Sequence, residues 1–322
     1  MDIKLIEQAK KRIEPYVLRT RLEHSRTLSE LLGASVFVKL ELFQKTGSFK
    51  VRGAFNKMLS LTEEERSHGV VAVSGGNHAQ AVAYAGKVLG IRTIVLMPEA
   101  TPANYVEGTR GYGADVELQP TIAAAFARIE DYRSKGMAFV HPFDDPLVMA
   151  GQGTLGLEIL EDLPGATDVF VSIGGGGLAG GVSMAVRSIK PDVRVFGVET
   201  EGADAMSQAL KAGEPVQLPA ITSIAKTLGA PSVSVSSLKL AQEYLESVTV
   251  VSDTEAVKSL VFILERLKVL TEPAASCTLA AAIRQKSKFN ADSKVVLVLC
   301  GGNLSTVDLC GYLRTFDLGQ AA

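Results

Sequence analysis

The stretch D-V-F-V-S-I-G-G-G-G-L-A-G-G-V-S-M-A-V, residues 168–186, decides the fold class. Its β-branched and aromatic start predicts a buried strand, and the apolar spacing after Leu178 predicts a helix. Four consecutive glycines join the two, so the backbone can turn and be approached closely at the end of the strand. Free NH groups at the start of such a helix form a cradle for a phosphate. The stretch is typical of an α/β protein with an anion site at a strand end.

The same rhythm of short β-branched runs and helical stretches continues along all 322 residues. Strands are predicted at residues 35–40, 69–73, 93–97, 115–118, 138–141, 168–173, 194–199, 247–251 and 294–300. Helical patterns separate most of them, for example at residues 79–89, 178–189 and 253–267. This alternation predicts an α/β fold of mostly parallel, twisted sheets flanked by helices. So many strands favour two lobes over one long sheet.

Composition excludes several classes of protein. The chain has 33 basic and 35 acidic residues, so no basic excess indicates a nucleic-acid partner. No apolar run approaches the ~18 residues that a membrane helix needs. The first 17 residues predict an amphipathic helix rather than a secretory signal. Three cysteines without metal-ligand spacing fit a reducing compartment, so we expect a cytoplasmic protein with no membrane partner.

Three further loops with unusual chemistry follow predicted strands. E-L-F-Q-K-T-G-S-F-K, residues 41–50, places Lys50 at a helix start among apolar neighbours. Because burial there disfavours the ammonium form, Lys50 is a candidate nucleophilic amine for Schiff-base chemistry. S-G-G-N-H-A-Q, residues 74–80, offers Ser74, Asn77 and free NH groups to a carboxylate. From the residues alone, we interpret His78 in this loop as a helix cap or a packing residue.

The fourth loop, C-G-G-N-L-S at residues 300–305, begins with Cys300 at the end of a buried strand. Two roles stay open for this thiol: a small core residue, or a hydrogen-bond partner for a ring nitrogen. One ligand would satisfy all four loops, namely a phosphorylated aromatic aldehyde held by a lysine. Pyridoxal phosphate has this chemistry and acts as an electron sink for carbanions.

A different class of enzyme competes for the glycine loop. Gly175, Gly177 and Gly180 satisfy G-x-G-x-x-G, and Glu199 ends the next strand, which is the dinucleotide-binding fingerprint. An NAD-dependent oxidoreductase is therefore an alternative, as is a ligand-binding protein without activity. Against the first, the motif lies in the middle of the chain, and any G-G-G-G-x-x-G run satisfies the pattern. The oxidoreductase hypothesis also leaves the lysine loop and the S-G-G-N-H loop unexplained.

Six motifs in one order give the chain a resemblance to a known family. They are K-T-G-S-F-K-V-R-G-A (45–54), S-G-G-N-H-A-Q (74–80), A-G-Q-G-T-L-G-L-E-I (150–159), S-I-G-G-G-G-L-A-G-G (172–181), T-E-P-A-A-S (271–276) and L-C-G-G-N (299–303). From about Ile6 to Leu313 the chain resembles the fold type II, or β-family, pyridoxal-phosphate enzymes. Within that family it is similar to the serine/threonine dehydratase and serine racemase group.

The resemblance implies a division of the chain and a set of partners. A large cofactor-binding domain would comprise residues 1–68 and 144–322. A small domain, residues 69–143, would carry the loop that binds the substrate carboxylate. The resemblance also implies a homodimer that acts on a small amino acid. The sequence ends soon after the C-G-G-N-L-S loop, so we expect neither the regulatory domain of biosynthetic threonine dehydratases nor isoleucine feedback.

The resemblance also assigns roles to site residues. Lys50 matches the catalytic Schiff-base lysine. Cofactor contacts are implied for Lys50, Phe49, Asn77, Gly174, Gly175, Gly176, Gly177, Glu272 and Cys300. Substrate contacts are implied for Ser74, Gly75, Asn77 and His78. A divalent or monovalent cation would use Glu199 and the carbonyl of Ala203, whereas the expected further acid is replaced by Ala205.

Two features select among the activities of this group. The racemases have a second serine where this chain has Gly75, so the hydroxyl that protonates the second face of the carbanion is missing. A neutral Cys300 beside the ring nitrogen would favour elimination of a β-hydroxyl. We therefore expect a carbon–oxygen lyase, an ammonia-lyase that converts L-serine, L-threonine or a related β-hydroxy amino acid to a 2-keto acid and ammonia. A serine racemase is the alternative of the same fold. A-K-T-L-G-A-P, residues 225–231, replaces a common A-D-G stretch and leaves phenylserine-like and hydroxyaspartate-like substrates open.

Overall fold

Two sheets organise the computed structural model, which describes residues 1–318. The strands of the described chain are β1 (Leu22–His24), β2 (Ser35–Lys39), β3 (Val70–Val73), β4 (Thr93–Pro98), β5 (Asp115–Gln119), β6 (Ala138–Phe139), β7 (Asp168–Ser172), β8 (Arg194–Thr200), β9 (Ser247–Val251) and β10 (Lys294–Val298). One sheet has the order β1-β2-β10-β7-β8-β9 and the other β5-β4-β3-β6. Every pairing is parallel except that of β1 with β2, which confirms the predicted class.

Helices cover both sheets. They are α1 (Ile3–Ile13), α2 (Arg26–Leu32), α3 (Lys50–Leu59), α4 (Glu63–His68), α5 (Asn77–Leu89), α6 (Ala103–Gly111), α7 (Ile122–Ala127), α8 (Ile129–Arg133), α9 (Pro146–Asp162), α10 (Gly177–Ile189), α11 (Ala205–Ala212), α12 (Val235–Tyr244), α13 (Asp253–Leu267), α14 (Pro273–Arg284) and α15 (Thr306–Thr315). Within residues 1–318, none of them combines the length and apolarity that crossing a membrane requires.

All nine predicted strands are present, and β1 is the strand that the sequence pattern missed. The four strands of the second sheet lie between Val70 and Phe139, inside the segment predicted as a small domain. The boundaries of the two domains themselves stay a prediction.

Helix α9 packs against α1, α3 and α10 and is buried from Val148 to Leu160. Its glycines come from the A-G-Q-G-T-L-G motif and let other helices approach closely. A Cβ at Gly151 would lie 2.6 Å from the Cα of Gly53 in α3, closer than real Cβ atoms come to another atom. The two helices therefore pack backbone against backbone, and this close packing fixes the position of α3.

A buried cluster of charges ties α3 to β2 and α9. Arg52 is fully buried and donates to Glu41 (Nε to Oε2, 2.8 Å) and to Glu158 (Nη1 to Oε1, 2.7 Å). The buried Lys39 donates to the other oxygen of Glu158 at 2.7 Å. Two cations face two carboxylates, so removing one partner would leave a buried charge uncompensated.

The sheet order brings three of the four unusual loops to one edge. Strand β10 lies between β2 and β7, and all three run in the same direction. Their carboxyl ends therefore meet, and with them the lysine loop, the C-G-G-N loop and the glycine loop. The fourth loop follows β3 in the second sheet, and its Asn77 contacts Glu272 and Asn303 beside the C-G-G-N loop.

Candidate active site

Lys50 is the first residue of α3 and follows a tight turn in which Thr46 has φ +61° and Gly47 has φ +70°. The residue keeps partial solvent access, but protein atoms surround its amine. Nζ donates a hydrogen bond of 2.7 Å to the carbonyl oxygen of Pro142. Burial lowers the pKa of Lys50 to about 8, although the nearby Cys300 and Glu272 oppose this shift. Much of this amine is therefore neutral near pH 8, as a nucleophile or base must be.

The glycine loop forms the first anion site. Gly176 takes the left-handed conformation, with φ +89°, and directly precedes the 13-residue helix α10. In the described chain, the NH groups of residues 174–179 donate to no protein atom. This many free donors at a helix N-terminus fit a phosphate group.

Phe143 lies directly against this loop. A Cβ at Gly175 would lie 2.2 Å from the ring of Phe143, and one at Gly177 would lie 2.9 Å from its carbonyl oxygen. Glycine is therefore required at both positions by close contact with the segment that follows β6. The same segment contributes the Pro142 carbonyl that binds Lys50, so it joins the amine to the anion site.

The S-G-G-N-H loop forms a second anion site at the start of the 13-residue helix α5. Among residues 1–318, the NH groups of Gly75, Asn77 and His78 find no acceptor, whereas the NH of Gly76 donates to Ser74 Oγ at 3.1 Å. The loop can therefore receive a carboxylate. Beside it, a Cβ at Gly75 would lie 2.7 Å from Thr101 Oγ1.

Asn77 joins this loop to the larger sheet through its side chain. Its Nδ2 donates to Glu272 Oε1 at 2.7 Å, and its Oδ1 accepts from Asn303 Nδ2 at 2.8 Å. The other oxygen of Glu272 accepts from Thr227 Oγ1 at 2.7 Å. Burial raises the pKa of Glu272, although these two donors and Lys50 lower it. The predicted residues Asn77 and Glu272 therefore lie together, in direct contact.

Cys300 is buried and lies beside Phe49, near Lys50. Its carbonyl oxygen accepts from the NH of Phe49 at 3.0 Å, and its Sγ lies 3.6 Å from the carbonyl oxygen of Ala274. Burial raises the pKa of the thiol well above its usual range, so the thiol is neutral at physiological pH. Phe49 is buried too, and the centre of its ring lies 5.3 Å from Lys50 Nζ.

Glu199 lies near the end of β8 and is bound by backbone groups close to it in sequence. Its two carboxylate oxygens accept from the NH groups of Met206 and Ser207, each at 2.8 Å, at the start of α11. Burial raises the pKa of Glu199 to about 7 in spite of these donors. The Ala203 NH donates to the Thr200 carbonyl at 2.9 Å. Within residues 1–318, no group of three or more His, Cys, Asp or Glu side chains can hold a metal ion. The side chains alone make no metal centre, and the cation stays a prediction.

Sequence reasoning missed two contributors to this site. The segment from Val140 to Phe143 links Lys50, the S-G-G-N-H loop and the glycine loop, and its only local signal is a His-Pro pair at a strand end. Thr227 lies in a segment singled out as unusual, but its contact with Glu272 joins residues 45 positions apart in sequence.

A buried amine between two helix-terminal anion sites, all at strand ends of parallel sheets, defines an α/β enzyme that binds a phosphorylated aldehyde. Residues 13–301 match the family described as pyridoxal-phosphate dependent enzymes. The chain belongs to this family, and its cofactor is pyridoxal phosphate. The two alternatives, an NAD-dependent oxidoreductase and a ligand-binding protein without activity, are therefore excluded. The oxidoreductase hypothesis required Glu199 to bind a ribose, but both of its carboxylate oxygens accept hydrogen bonds from the NH groups of Met206 and Ser207.

Several proteins are similar to this chain over most of its length. The L-threonine ammonia-lyase of Geobacter sulfurreducens is 41% identical over 302 residues, which are 93% of this chain and 75% of that protein. The catabolic L-threonine dehydratase TdcB of Escherichia coli strain K12 is 38% identical over 305 residues, 93% of this chain and 92% of that protein. The structure of maize serine racemase matches with a TM-score of 0.92 and 35% identity, and the match covers 98% of this chain and 97% of that one.

Proposed function

We propose that this enzyme is a dehydratase that converts L-threonine, L-serine or a related β-hydroxy amino acid to a 2-keto acid and ammonia. The observation that carries the proposal is the Lys50 amine, with its lowered pKa, between a phosphate-type and a carboxylate-type anion site. The similarity to the threonine ammonia-lyase and dehydratase supports the same activity.

Each part of the site has a proposed task. Bound pyridoxal phosphate supplies an aldehyde for amines and an electron sink for a carbanion. The NH groups of Gly174, Gly175, Gly176 and Gly177 hold its phosphate, Phe49 packs on its ring, and Asn77 and Glu272 line its edge. Ser74, Gly75, Asn77 and His78 bind the substrate carboxylate, Ser74 through its hydroxyl and the other three through their free NH groups.

Lys50 is proposed to hold the cofactor and then to move the protons of the reaction. Its Nζ takes the proton from the substrate Cα. As the Cβ–O bond breaks, Nζ passes this proton to the departing hydroxyl, which leaves as water. The unsaturated amine that is released takes up water and yields the keto acid and ammonia. In balance, the substrate loses ammonia, because the water that leaves is consumed again.

Two neighbours favour elimination over racemization. Gly75 lacks a side chain, so it supplies no hydroxyl to protonate the face of the carbanion opposite Lys50. The Cys300 thiol, which is neutral because burial raises its pKa, is proposed to face the ring nitrogen. A neutral partner leaves that nitrogen unprotonated, which makes the ring a weaker electron sink than a carboxylate partner would.

Incubation with a panel of β-hydroxy amino acids tests this function. We expect 2-keto acid and ammonia in equal amounts from L-threonine or L-serine, with little D-serine. Abundant D-serine with little pyruvate would establish the racemase instead. Lys50→Ala should abolish turnover, whereas Lys45→Ala, in the same loop, is the matched control and should retain it.

We further propose a cytoplasmic homodimer. The three cysteines are free, which fits a reducing compartment, and the resemblance to the dehydratase group supports a dimer. Light scattering coupled to size exclusion should give twice the chain mass of 34.1 kDa. Fractionation of cells that make the tagged chain should place it with cytoplasmic markers. A monomer mass, or recovery outside the cytoplasmic fraction, would contradict the corresponding proposal.

A further inference from the structure

The segment after β6 is held by the side chains of two histidines, and neither imidazole has a place in the proposed chemistry. His78 Nε2 lies 2.9 Å from the carbonyl oxygen of Val140. His141 Nδ1 accepts from the NH groups of Phe143 (3.2 Å) and Asp144 (2.7 Å). One imidazole therefore fixes the start of the segment and the other fixes its turn.

The hydrogen bonds define the protonation of both rings. A carbonyl oxygen only accepts, so Nε2 of His78 carries the hydrogen, and Nδ1, which is buried without a partner, is bare. Burial and the neighbouring Lys50 lower the pKa of His78 to about 3. The same two causes lower the pKa of His141 to about 4, against the opposing charges of Asp144 and Asp145. Both rings are neutral at physiological pH and are poor bases, so Lys50 has no competitor among them.

A short stretch of backbone connects the hydrogen bond of His78 with that of the Lys50 amine. The Val140 NH donates to the Val71 carbonyl of β3 at 2.9 Å, so β3 and His78 together anchor both backbone polar groups of Val140. Two residues later the Pro142 carbonyl accepts from Lys50 Nζ at 2.7 Å. Proline limits the freedom of the backbone between these two carbonyls.

Phe143 completes the arrangement. Its ring packs edge-on against His141, with 4.7 Å between centroids, and lies against Gly175. The segment is thus held at one end by His78 and at the other by the glycine loop, with the acceptor for Lys50 between them.

We propose that His78 is a positioning residue for Lys50. It acts through the backbone from the Val140 carbonyl, which His78 binds, to the Pro142 carbonyl, which Lys50 binds. The inference rests on the proposed function, in which the Lys50 amine moves the protons. The His78 side chain does not touch the reacting atoms in this scheme. It keeps the Pro142 oxygen where it aligns Nζ, and a displacement of about 1 Å at such a group costs up to ~100-fold in rate.

The test uses the full-length enzyme with its cofactor and three variants. His78→Leu removes the donor to Val140, whereas His78→Gln can place an amide NH where Nε2 was. His68→Gln is the matched control, because the exposed His68 also bonds a backbone carbonyl, that of Glu64 at 2.9 Å. Measurements are kcat and KM for keto-acid release, amide hydrogen exchange of the peptide spanning residues 138–144, and the thermal unfolding midpoint.

For His78→Leu we expect kcat to fall by roughly 10–100-fold at an unchanged KM, with faster exchange confined to residues 138–144. His78→Gln should recover most of both losses, and His68→Gln should change neither. Two results would overturn the positioning role and leave the dehydratase function standing. One is a His78→Leu enzyme with normal kcat. The other is a His78→Leu enzyme whose exchange is faster throughout α5 and β3 and whose unfolding midpoint is lower, because the variant would then be generally destabilised. A wild-type enzyme that releases no keto acid from any member of the panel would overturn both.

Discussion

Replacing Gly175 by alanine should weaken cofactor binding through a steric conflict that the structure quantifies. A Cβ at this position would lie 2.2 Å from the Phe143 ring. Because carbon atoms normally approach to about 3.5 Å, the ring or the loop must move by about 1.3 Å. Movement of the loop misaligns the NH groups that face the phosphate. Losing one such charge-assisted hydrogen bond costs roughly 1.5–3 kcal/mol, which is about 10–100-fold in the dissociation constant of pyridoxal phosphate.

The assay is a titration of cofactor-depleted, full-length enzyme with pyridoxal phosphate, followed by absorbance. Gly111→Ala is the matched control, because a Cβ at Gly111, in α6, has nothing within 4 Å. It should bind the cofactor normally and gain up to ~1 kcal/mol in helix propensity. Adding Phe143→Ala to Gly175→Ala should recover part of the lost affinity. Wild-type affinity in Gly175→Ala would refute the assignment of this loop to the phosphate.

Three further outcomes are expected. Arg52→Met should lower the free energy of unfolding by roughly 3–5 kcal/mol in chemical denaturation, since it leaves the buried Glu41 without a cation and Glu158 with Lys39 alone; a loss below about 1 kcal/mol would contradict this. Because the pKa of His78 is about 6.5 in the unfolded chain and about 3 in the folded one, protonation of the unfolded chain lowers the free energy of unfolding as pH falls from about 6.5 towards 3. His78→Gln removes this group and should make the loss of stability with falling pH shallower by up to ~1.4 kcal/mol per pH unit. The same pH dependence of the free energy of unfolding in the variant and the wild type would contradict this. Gly75→Ser should raise the ratio of D-serine to pyruvate, measured by chiral chromatography, at least about tenfold. The new Cβ would lie 2.7 Å from Thr101 Oγ1, so the Thr101 side chain must rotate away to admit the serine. An unchanged ratio would contradict the role of Gly75.

The sequence predicted the features of this protein that depend on neighbouring residues. Strands and helices are local periodicities, and the bounds of α13 were predicted to the residue. Lys50 was placed correctly at a helix start because a strand, a turn and an apolar helix follow one another there. The meeting of the three loops after β2, β7 and β10 was also expected, since parallel strands end at one edge.

Contacts between distant segments could not be predicted in this way. Strand β1 has only three residues and exists because β2 offers an antiparallel edge, so its own pattern was too short to recognise. Pro142 reaches Lys50 across 92 positions of sequence, and no spacing rule connects them. His78 was interpreted from its residues as a cap or packing residue, but its bond to Val140 depends on where β6 ends.

The position of the cofactor on the chain tests the central claim most directly. The holoenzyme is reduced with borohydride, digested, and searched by mass spectrometry for the peptide that carries the reduced cofactor. We predict a single modified residue, Lys50, in the peptide that contains G-S-F-K, with loss of the cofactor absorbance. Modification of another lysine, such as Lys45, with Lys50 left free would contradict the account.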